Sequence, residues 1–268
     1  NIVSLQIPVL TGSRNEVEPG KSGFAHFFEH MMFRGTPTLS PDEYNAIVTQ
    51  AGARQNAYTT DDYTNYHITF AKEDLETMLR IEADRFQNLS YPVEAFKTES
   101  RAVLGEYNKN SADPIQKLYE KIRASAFTTH TYRHTTMGFI EDIEDMPNQY
   151  EYSKTFFQRW YRPENTAVIV AGDVDPARVI ALVEKYWGGW QPGSGEKVAI
   201  PQEPFMSSSQ TRIIAGITVY VPTGAIEITV QSLAPRLASL KGARIGILDN
   251  HKEFADIVLR GIAQKLQR

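Results

Sequence analysis

The chain has 268 residues, of which 41% are hydrophobic and 22% are charged, and it carries a formal net charge of −4 and no cysteine. This charge and the lack of a dense basic tract argue against a nucleic-acid binder. The lack of cysteine excludes disulfides and thiolate zinc sites, so any metal must bind to His, Asp or Glu. No apolar run approaches about 18 residues, so no transmembrane segment is expected.

The predicted elements mix strands and helices without regular alternation. A strand over residues 1–10 precedes an apolar helix within residues 23–36, and Ser22 is its candidate cap. Ser40 and Glu43 have the spacing of a capping box at the start of the next helix. The later elements are predicted to be two strands around a turn at 60–62, helices at 72–89 and 92–109, a helix from 114, a helix at 149–161, a buried strand at 166–174 and a helix at 175–188. This order predicts an α+β fold.

A stretch rich in Pro, Gly and Ser, residues 191–210, marks a candidate domain boundary. We predict a first domain over residues 1–205 and a second segment over residues 206–268. That segment contains a linker, one strand at 243–250 and one amphipathic helix at 252–267. These elements are too few to bury a core of their own. We therefore expect the segment to pack poorly against the first domain and to leave its site open.

Two histidines and a glutamate share one face of the predicted apolar helix. In a helix of about 3.6 residues per turn, His26, Glu29 and His30 lie within one arc. Two imidazoles one turn apart can bind one zinc ion, with the glutamate beside them in the order H-x-x-E-H. The alternative is a pair of surface histidines or hydrogen-bonded core histidines. The rarity of the pattern among six histidines favours the metal site.

A catalytic zinc site needs a third protein ligand from another element. Glu99 and Glu106 are seven residues apart on a downstream helix and share a face. Gly105 is expected to allow close approach of another element. On spacing alone, a solvated helix face is favoured for the two glutamates. His130 and His134 are also four residues apart, but their Thr-rich segment is predicted to be a loop.

Several segments resemble the zinc peptidases of the pitrilysin/insulinase family, which includes the mitochondrial processing peptidases. The most specific is GSRNEVEPGKSGFAHFFEHMMFRGT, and the resemblance spans about residues 1–205. It implies a mostly antiparallel sheet covered by helices on one side. The other matching segments, in chain order, are QNAYTTDDYTNYHITF, IEADRFQNL, ESRAVLGEYNKN and YRPENTAVIVAGDVD.

The resemblance implies one Zn²⁺ bound by His26, His30 and Glu106. It implies that Glu29 is the general base of a zinc-dependent endopeptidase, in which a zinc-activated water hydrolyses the peptide bond. It also implies that Glu99 is a supporting carboxylate near the ligands. For Glu99 and Glu106 the resemblance reverses the interpretation that spacing alone favours.

The resemblance further implies a mode of substrate binding. Asn56, Ala57 and Tyr58 match an edge strand to which an extended peptide or unfolded protein adds through main-chain hydrogen bonds. An ordinary hairpin strand would have the same sequence. Active family members have a second similar domain, so we expect a second homologous domain or a partner subunit.

Residues after about 206 depart from this family. They resemble the start of a small bacterial family named for a U-G-S-C motif, although that motif is absent here. Two functions stay open: half of a zinc endopeptidase, or a non-catalytic peptide-binding or scaffold subunit. The intact residues of the H-x-x-E-H motif and Glu106 favour the first. The sequence leaves the compartment unknown, with the bacterial periplasm or cytoplasm favoured.

Overall fold

The computed structural model of the chain describes residues 1–193, 198–205, 210–214 and 217–221. None of the described helices is long and apolar enough to cross a membrane. The described elements are β1 (Ile2–Val9), α1 (Phe24–Met31), α2 (Pro41–Gln50), β2 (Arg54–Thr59), β3 (Thr64–Ala71), α3 (Leu75–Asn88), α4 (Val93–Asn110), α5 (Pro114–Ala126), α6 (Ile140–Asp145), α7 (Tyr150–Trp160), β4 (Ile169–Gly172), α8 (Pro176–Trp187), β5 (Gln210–Ile214) and β6 (Ile217–Val221).

Four of the strands form one antiparallel sheet in the order β2-β3-β1-β4. Alternate side chains of β1 are fully buried, and the residues between them are half-buried, so helices cover one face of the sheet. The predicted α+β fold is confirmed. The buried residues of β1 are Val3, Leu5, Ile7 and Val9.

The hairpin of β5 and β6 was not predicted from the sequence. The predicted strand at 243–250 and helix at 252–267 lie outside the described residues. The expectation that residues after 206 pack poorly and leave the site open therefore falls mostly on residues that the structure does not describe.

β4 lies at one edge of the sheet, and the prediction of a buried strand at 166–174 is wrong. Ile169 is 49% exposed, and Ala171 is also exposed. Within the described residues, β4 pairs only with β1. An apolar run predicts a strand, but its burial depends on neighbours that the run itself does not reveal.

α1 lies at the centre of an aromatic core. Phe28 stacks on Phe156 of α7 with 5.4 Å between ring centroids. The hydroxyl of Tyr66, on β3, donates a hydrogen bond of 3.0 Å to the carbonyl oxygen of Phe28. These contacts join α1 to both the sheet and α7. The fully buried apolar residues of α1 are Phe24, Ala25, Phe27, Phe28 and Met31.

The starts of the first two helices differ from each other. α2 begins with the predicted capping box, in which Ser40 and Glu43 each accept a hydrogen bond from the other's amide. The predicted cap of α1 is wrong, because the amide and hydroxyl of Ser22 donate to Asp142 instead. α1 begins after Gly23, whose φ of +92° is in the left-handed region and favours glycine.

Candidate metal centre

α1 and α4 bring three donor side chains together. The Nε2 atoms of His26 and His30 lie 3.6 and 3.5 Å from one carboxylate oxygen of Glu106. One ligand atom of each residue lies within 4.8 Å of the other two, and no other such group of three occurs in the part of the chain that the structure describes. His130 and His134 do not belong to the group.

This donor set fits a zinc ion. Two imidazole nitrogens and one carboxylate oxygen are typical of catalytic zinc sites, and ligands at about 2.1 Å from a tetrahedral ion lie about 3.4 Å apart. Burial, together with the neighbouring His30, lowers the pKa of His26 to about 3. The His26 imidazole is therefore neutral near pH 7, as metal binding requires.

Glu29 lies on the same helix as the two histidines and is partly buried. The hydroxyl of Thr59, on β2, donates a hydrogen bond of 2.6 Å to one of its carboxylate oxygens. Burial raises the pKa of Glu29, and the hydrogen bond from Thr59 lowers it. A carboxylate with a raised pKa is a stronger base, which suits general-base catalysis near neutral pH.

Glu99 lies beside His30 and is only 2% exposed. Both of its oxygens bind the guanidinium of Arg34, through Nε and through an Nη2–Oε1 hydrogen bond of 2.8 Å. The Nδ1 atom of His30 lies 4.0 Å from the same Oε1 atom, beyond hydrogen-bond distance. Glu99 is therefore near the ligands, but its hydrogen bonds go to Arg34.

Glu106 is the most exposed of the three candidate ligands, with 39% of its side chain exposed against 28% for His30 and 8% for His26. No element in the described part of the chain approaches Gly105 closely. A Cβ atom built on Gly105 would meet no atom within 4 Å among the described residues. Packing against the described chain therefore does not require glycine at this position.

The predicted substrate-binding residues lie on β2, at the other edge of the sheet. Ala57 pairs with Tyr66 and faces the helices, whereas Asn56 and Tyr58 face the opposite side of the sheet. No strand in the described part of the chain pairs with the outer edge of β2. The main-chain groups at this edge, rather than the side chains of Asn56 and Tyr58, are directed along the sheet toward an added strand.

Thr59 and Arg34 contact Glu29 and Glu99, respectively, and neither contact was predicted from the sequence. Thr59 follows Ala57 by two residues, so strand alternation places both on the helix-covered face. That pattern could have predicted its approach to α1. Arg34 lies beyond the end of α1, so helical periodicity could not place its side chain.

Comparison with known families gives a direct match. The sequence model described as insulinase (peptidase family M16) matches residues 1–139. The chain belongs to this family. A model described as the peptidase M16 inactive domain matches residues 149–238, and a model of the UGSC family matches residues 218–268.

The chain is 30% identical to zinc protease PqqE of Helicobacter pylori over 216 residues, which are 80% of this chain and 48% of that protein. It is 27% identical over 194 residues to the probable mitochondrial-processing peptidase subunit beta of Schizosaccharomyces pombe, covering 72% and 42% of the two chains. The chain spans about half the length of the curated relatives it matches.

Two solved structures have the same fold over most of the chain. A crystal structure of a protease from Helicobacter pylori matches with a TM-score of 0.72 and 31% identity, over 76% of this chain and 49% of that chain. The first half of the periplasmic protease PqqL from Escherichia coli matches with a TM-score of 0.64 and 25% identity, over 74% and 43%.

The resemblance inferred from the sequence is confirmed at the level of the family. The relatives include proteins named as zinc proteases and as a processing peptidase, which places the chain among metalloprotease relatives. The match to the M16 inactive domain runs from 149 to 238. The predicted domain boundary between residues 205 and 206 lies within that match and stays a prediction.

Proposed function

We propose that residues 1–205 form the zinc-binding domain of an endopeptidase that hydrolyses peptides or small proteins. The observation that carries this proposal is the convergence of His26, His30 and Glu106, with Glu29 on the same helix as the two histidines. When bound there, zinc would lower the pKa of a water molecule and polarise the scissile carbonyl group.

Each side chain then has a defined role. The two histidines and Glu106 would hold the ion, and Glu29 would accept a proton from the attacking water and deliver it to the leaving amine. Thr59 holds one oxygen of Glu29 in place. Glu99, fixed by Arg34, adds negative charge beside His30 without binding the ion.

The outer edge of β2 is where we propose that substrate binds. An extended peptide would add to the sheet through the main chain of Asn56, Ala57 and Tyr58. The Thr59–Glu29 hydrogen bond joins this strand to α1. A peptide on β2 would therefore lie next to the general base, and main-chain recognition would allow many sequences.

Efficient hydrolysis is proposed to need a second homologous domain or a partner subunit. The chain spans about half of its relatives, and one similar structure is described as the first half of a protease. Residues 206–268 are proposed to be a linker and a partial strand and helix segment. Without a second domain to orient the peptide, the barrier to hydrolysis would be several kcal/mol higher.

The second candidate function is a non-catalytic peptide-binding or scaffold subunit of the same family. The match of residues 149–238 to a domain described as inactive favours it, together with the partial coverage of the relatives. This alternative keeps the edge strand β2 but does not need Glu29 to act as a base.

One experiment distinguishes the two proposed functions. The purified chain is loaded with zinc and incubated with a library of quenched fluorescent peptides, with Glu29→Gln as the matched control. Weak cleavage that Glu29→Gln abolishes supports the endopeptidase, and peptide binding without cleavage supports the alternative. A chain that binds no zinc would contradict the proposed function.

A further inference from the structure

Glu16, a buried carboxylate outside the metal centre, lies against the first turn of α1. Its two oxygens accept hydrogen bonds from the main-chain amides of Gly23 and Ala25, at 2.8 and 2.7 Å. Glu16 is only 4% exposed. Its carboxylate therefore binds the main-chain amides of the residues before and after Phe24. The second of these, Ala25, directly precedes His26 in the chain.

The residues that normally cap a helix cannot do so at α1. Gly23 has no side chain, and a Cβ atom there would lie 2.9 Å from the carbonyl oxygen of Met137. Ser22, one residue earlier, is hydrogen-bonded to Asp142. The first amides of a helix have no partner within the helix, so they depend on an acceptor from elsewhere. Glu16 supplies that acceptor from seven residues before Gly23.

The orientation of His26 depends on this turn more than is usual for a metal ligand. A ligating histidine commonly donates its second ring N–H to a carboxylate or carbonyl group, which fixes the ring. The Nδ1 atom of His26 is buried and has no hydrogen-bond partner within the described residues. The main chain of the first turn of α1, and the packing around it, therefore set the position of this ring.

The opposite end of α1 is also held by a buried charged residue. Nη1 of Arg85, on α3, donates a hydrogen bond of 3.3 Å to the carbonyl oxygen of Met32, the residue that follows α1. Arg85 is 4% exposed, and it binds Glu82 through Nε and Nη2 at 2.9 and 2.6 Å. Acceptors suit the start of a helix and donors suit its end. Two residues from other parts of the chain thus fix both ends of α1.

We infer that Glu16 is a positioning residue for the metal centre, acting through the first turn of α1 on the Nε2 atom of His26. This role rests on the proposed zinc site. Burial raises the pKa of Glu16, and the two amide donors, one to each oxygen, lower it because they stabilise the ionised form. The positioning depends on the two acceptor oxygens at this site, and a glutamine presents only one.

The test measures zinc affinity, by competition with a chelator, and the visible absorption spectrum of the Co²⁺-substituted full chain. In Glu16→Gln one amide loses its acceptor, because the side-chain NH₂ group cannot accept a hydrogen bond. We expect zinc binding about 10- to 100-fold weaker than in the unmodified chain and a changed Co²⁺ spectrum, as for other residues that orient metal ligands.

The matched control is Asp175→Ala, which removes a carboxylate cap from α8. Asp175 accepts a hydrogen bond of 3.1 Å from the amide of Ala177, and α8 carries no candidate ligand. This variant should melt at a lower temperature but keep the zinc affinity and the Co²⁺ spectrum of the unmodified chain. A loss of zinc affinity in both variants would mean that general stability is the cause and would overturn the inference.

A second variant, Glu16→Asp, keeps the two oxygens but shortens their reach, so its zinc affinity should fall between those of Glu16→Gln and the unmodified chain. Unchanged zinc affinity and an unchanged Co²⁺ spectrum in Glu16→Gln would overturn the inference. Failure of both Glu16 variants to fold would also overturn it. If the unmodified chain itself binds no zinc, the proposed function fails first, and this inference fails with it.

Discussion

The two helices that supply the candidate ligands are held in different ways. α1 carries two candidate ligands and the proposed general base, is buried among aromatic side chains, and has a buried charged partner at each end. α4 carries Glu106, begins after Pro92 without a side-chain cap, and has its ligand 39% exposed next to Gly105. From this difference we expect the two histidines to be held more rigidly than Glu106.

This asymmetry is consistent with the proposed peptidase, which would work with a second domain. A fixed α1 keeps the histidines and Glu29 in register with β2, where the peptide is proposed to bind. The exposed side of the site, at Glu106, is the side that another domain could reach. Substitutions in α1 should therefore change the chemistry, whereas substitutions in α4 should change stability or ligand geometry.

The largest expected effect is that of Glu29→Gln in α1. A carboxamide cannot accept the proton of the attacking water, so hydrolysis should fall by about 10²- to 10⁴-fold. Zinc content should stay unchanged, because Glu29 is not one of the three proposed ligands. His26→Ala, by contrast, should lose the metal as well. The measurements are peptide cleavage and zinc content of each purified variant, and retained cleavage in Glu29→Gln would be contrary to the assigned role.

The second expected effect is on how the free energy of unfolding of the metal-free chain depends on pH. Unfolded His26 takes up a proton near pH 6.5, whereas the folded residue does so only near pH 3, because burial lowers its pKa. The unfolded state therefore binds more protons between these values, and stability is lost as pH falls. Relative to His26→Gln, the unmodified chain should lose about 1.4 kcal/mol of its free energy of unfolding per pH unit below 6.5.

Urea unfolding with a chelator present, at pH 7, 6 and 5, measures this difference. Two stability curves that run parallel across this range would show that His26 is not held neutral by burial in the fold.

The third prediction concerns the contact between Arg34 and Glu99, which lies on α4. Arg34→Gln would leave the buried carboxylate of Glu99 without its guanidinium partner, and an unpaired buried group typically costs about 1–3 kcal/mol. Arg34 is itself half exposed, so the loss should stay below the 3–5 kcal/mol or so of a fully buried pair.

Arg34→Lys is the matched control, because it keeps the charge but not the two-pronged contact, and it should lose less. Urea unfolding at pH 7 gives both values. Equal stability of both variants and the unmodified chain would mean that this contact does not hold Glu99.

The smallest expected effect is a gain in stability. Gly105→Ala should stabilise the chain by about 0.5–1 kcal/mol, because alanine favours the helix and the added methyl group meets no described atom. Zinc affinity should not change, and thermal unfolding with zinc titration tests both. A loss of stability would indicate that another part of the chain does approach α4 at this position.

The elements that the sequence predicted well are those whose signals are local. The capping box of Ser40 and Glu43, and the face shared by His26 and His30, depend on residues within one turn of each other. The partner of Glu99 and the burial of β4 depend on contacts between distant parts of the chain, so no local pattern shows them. Without the family resemblance, Glu106 could not be distinguished from a residue on a solvated helix face.

The proposed zinc site is tested most directly by anomalous diffraction at the zinc edge from crystals of the zinc-loaded chain. Zinc bound as proposed would give one strong peak, about 2.0–2.2 Å from Nε2 of His26, Nε2 of His30 and a carboxylate oxygen of Glu106. A peak bound by Glu99 instead of Glu106, or no peak near α1 at stoichiometric zinc, would contradict it.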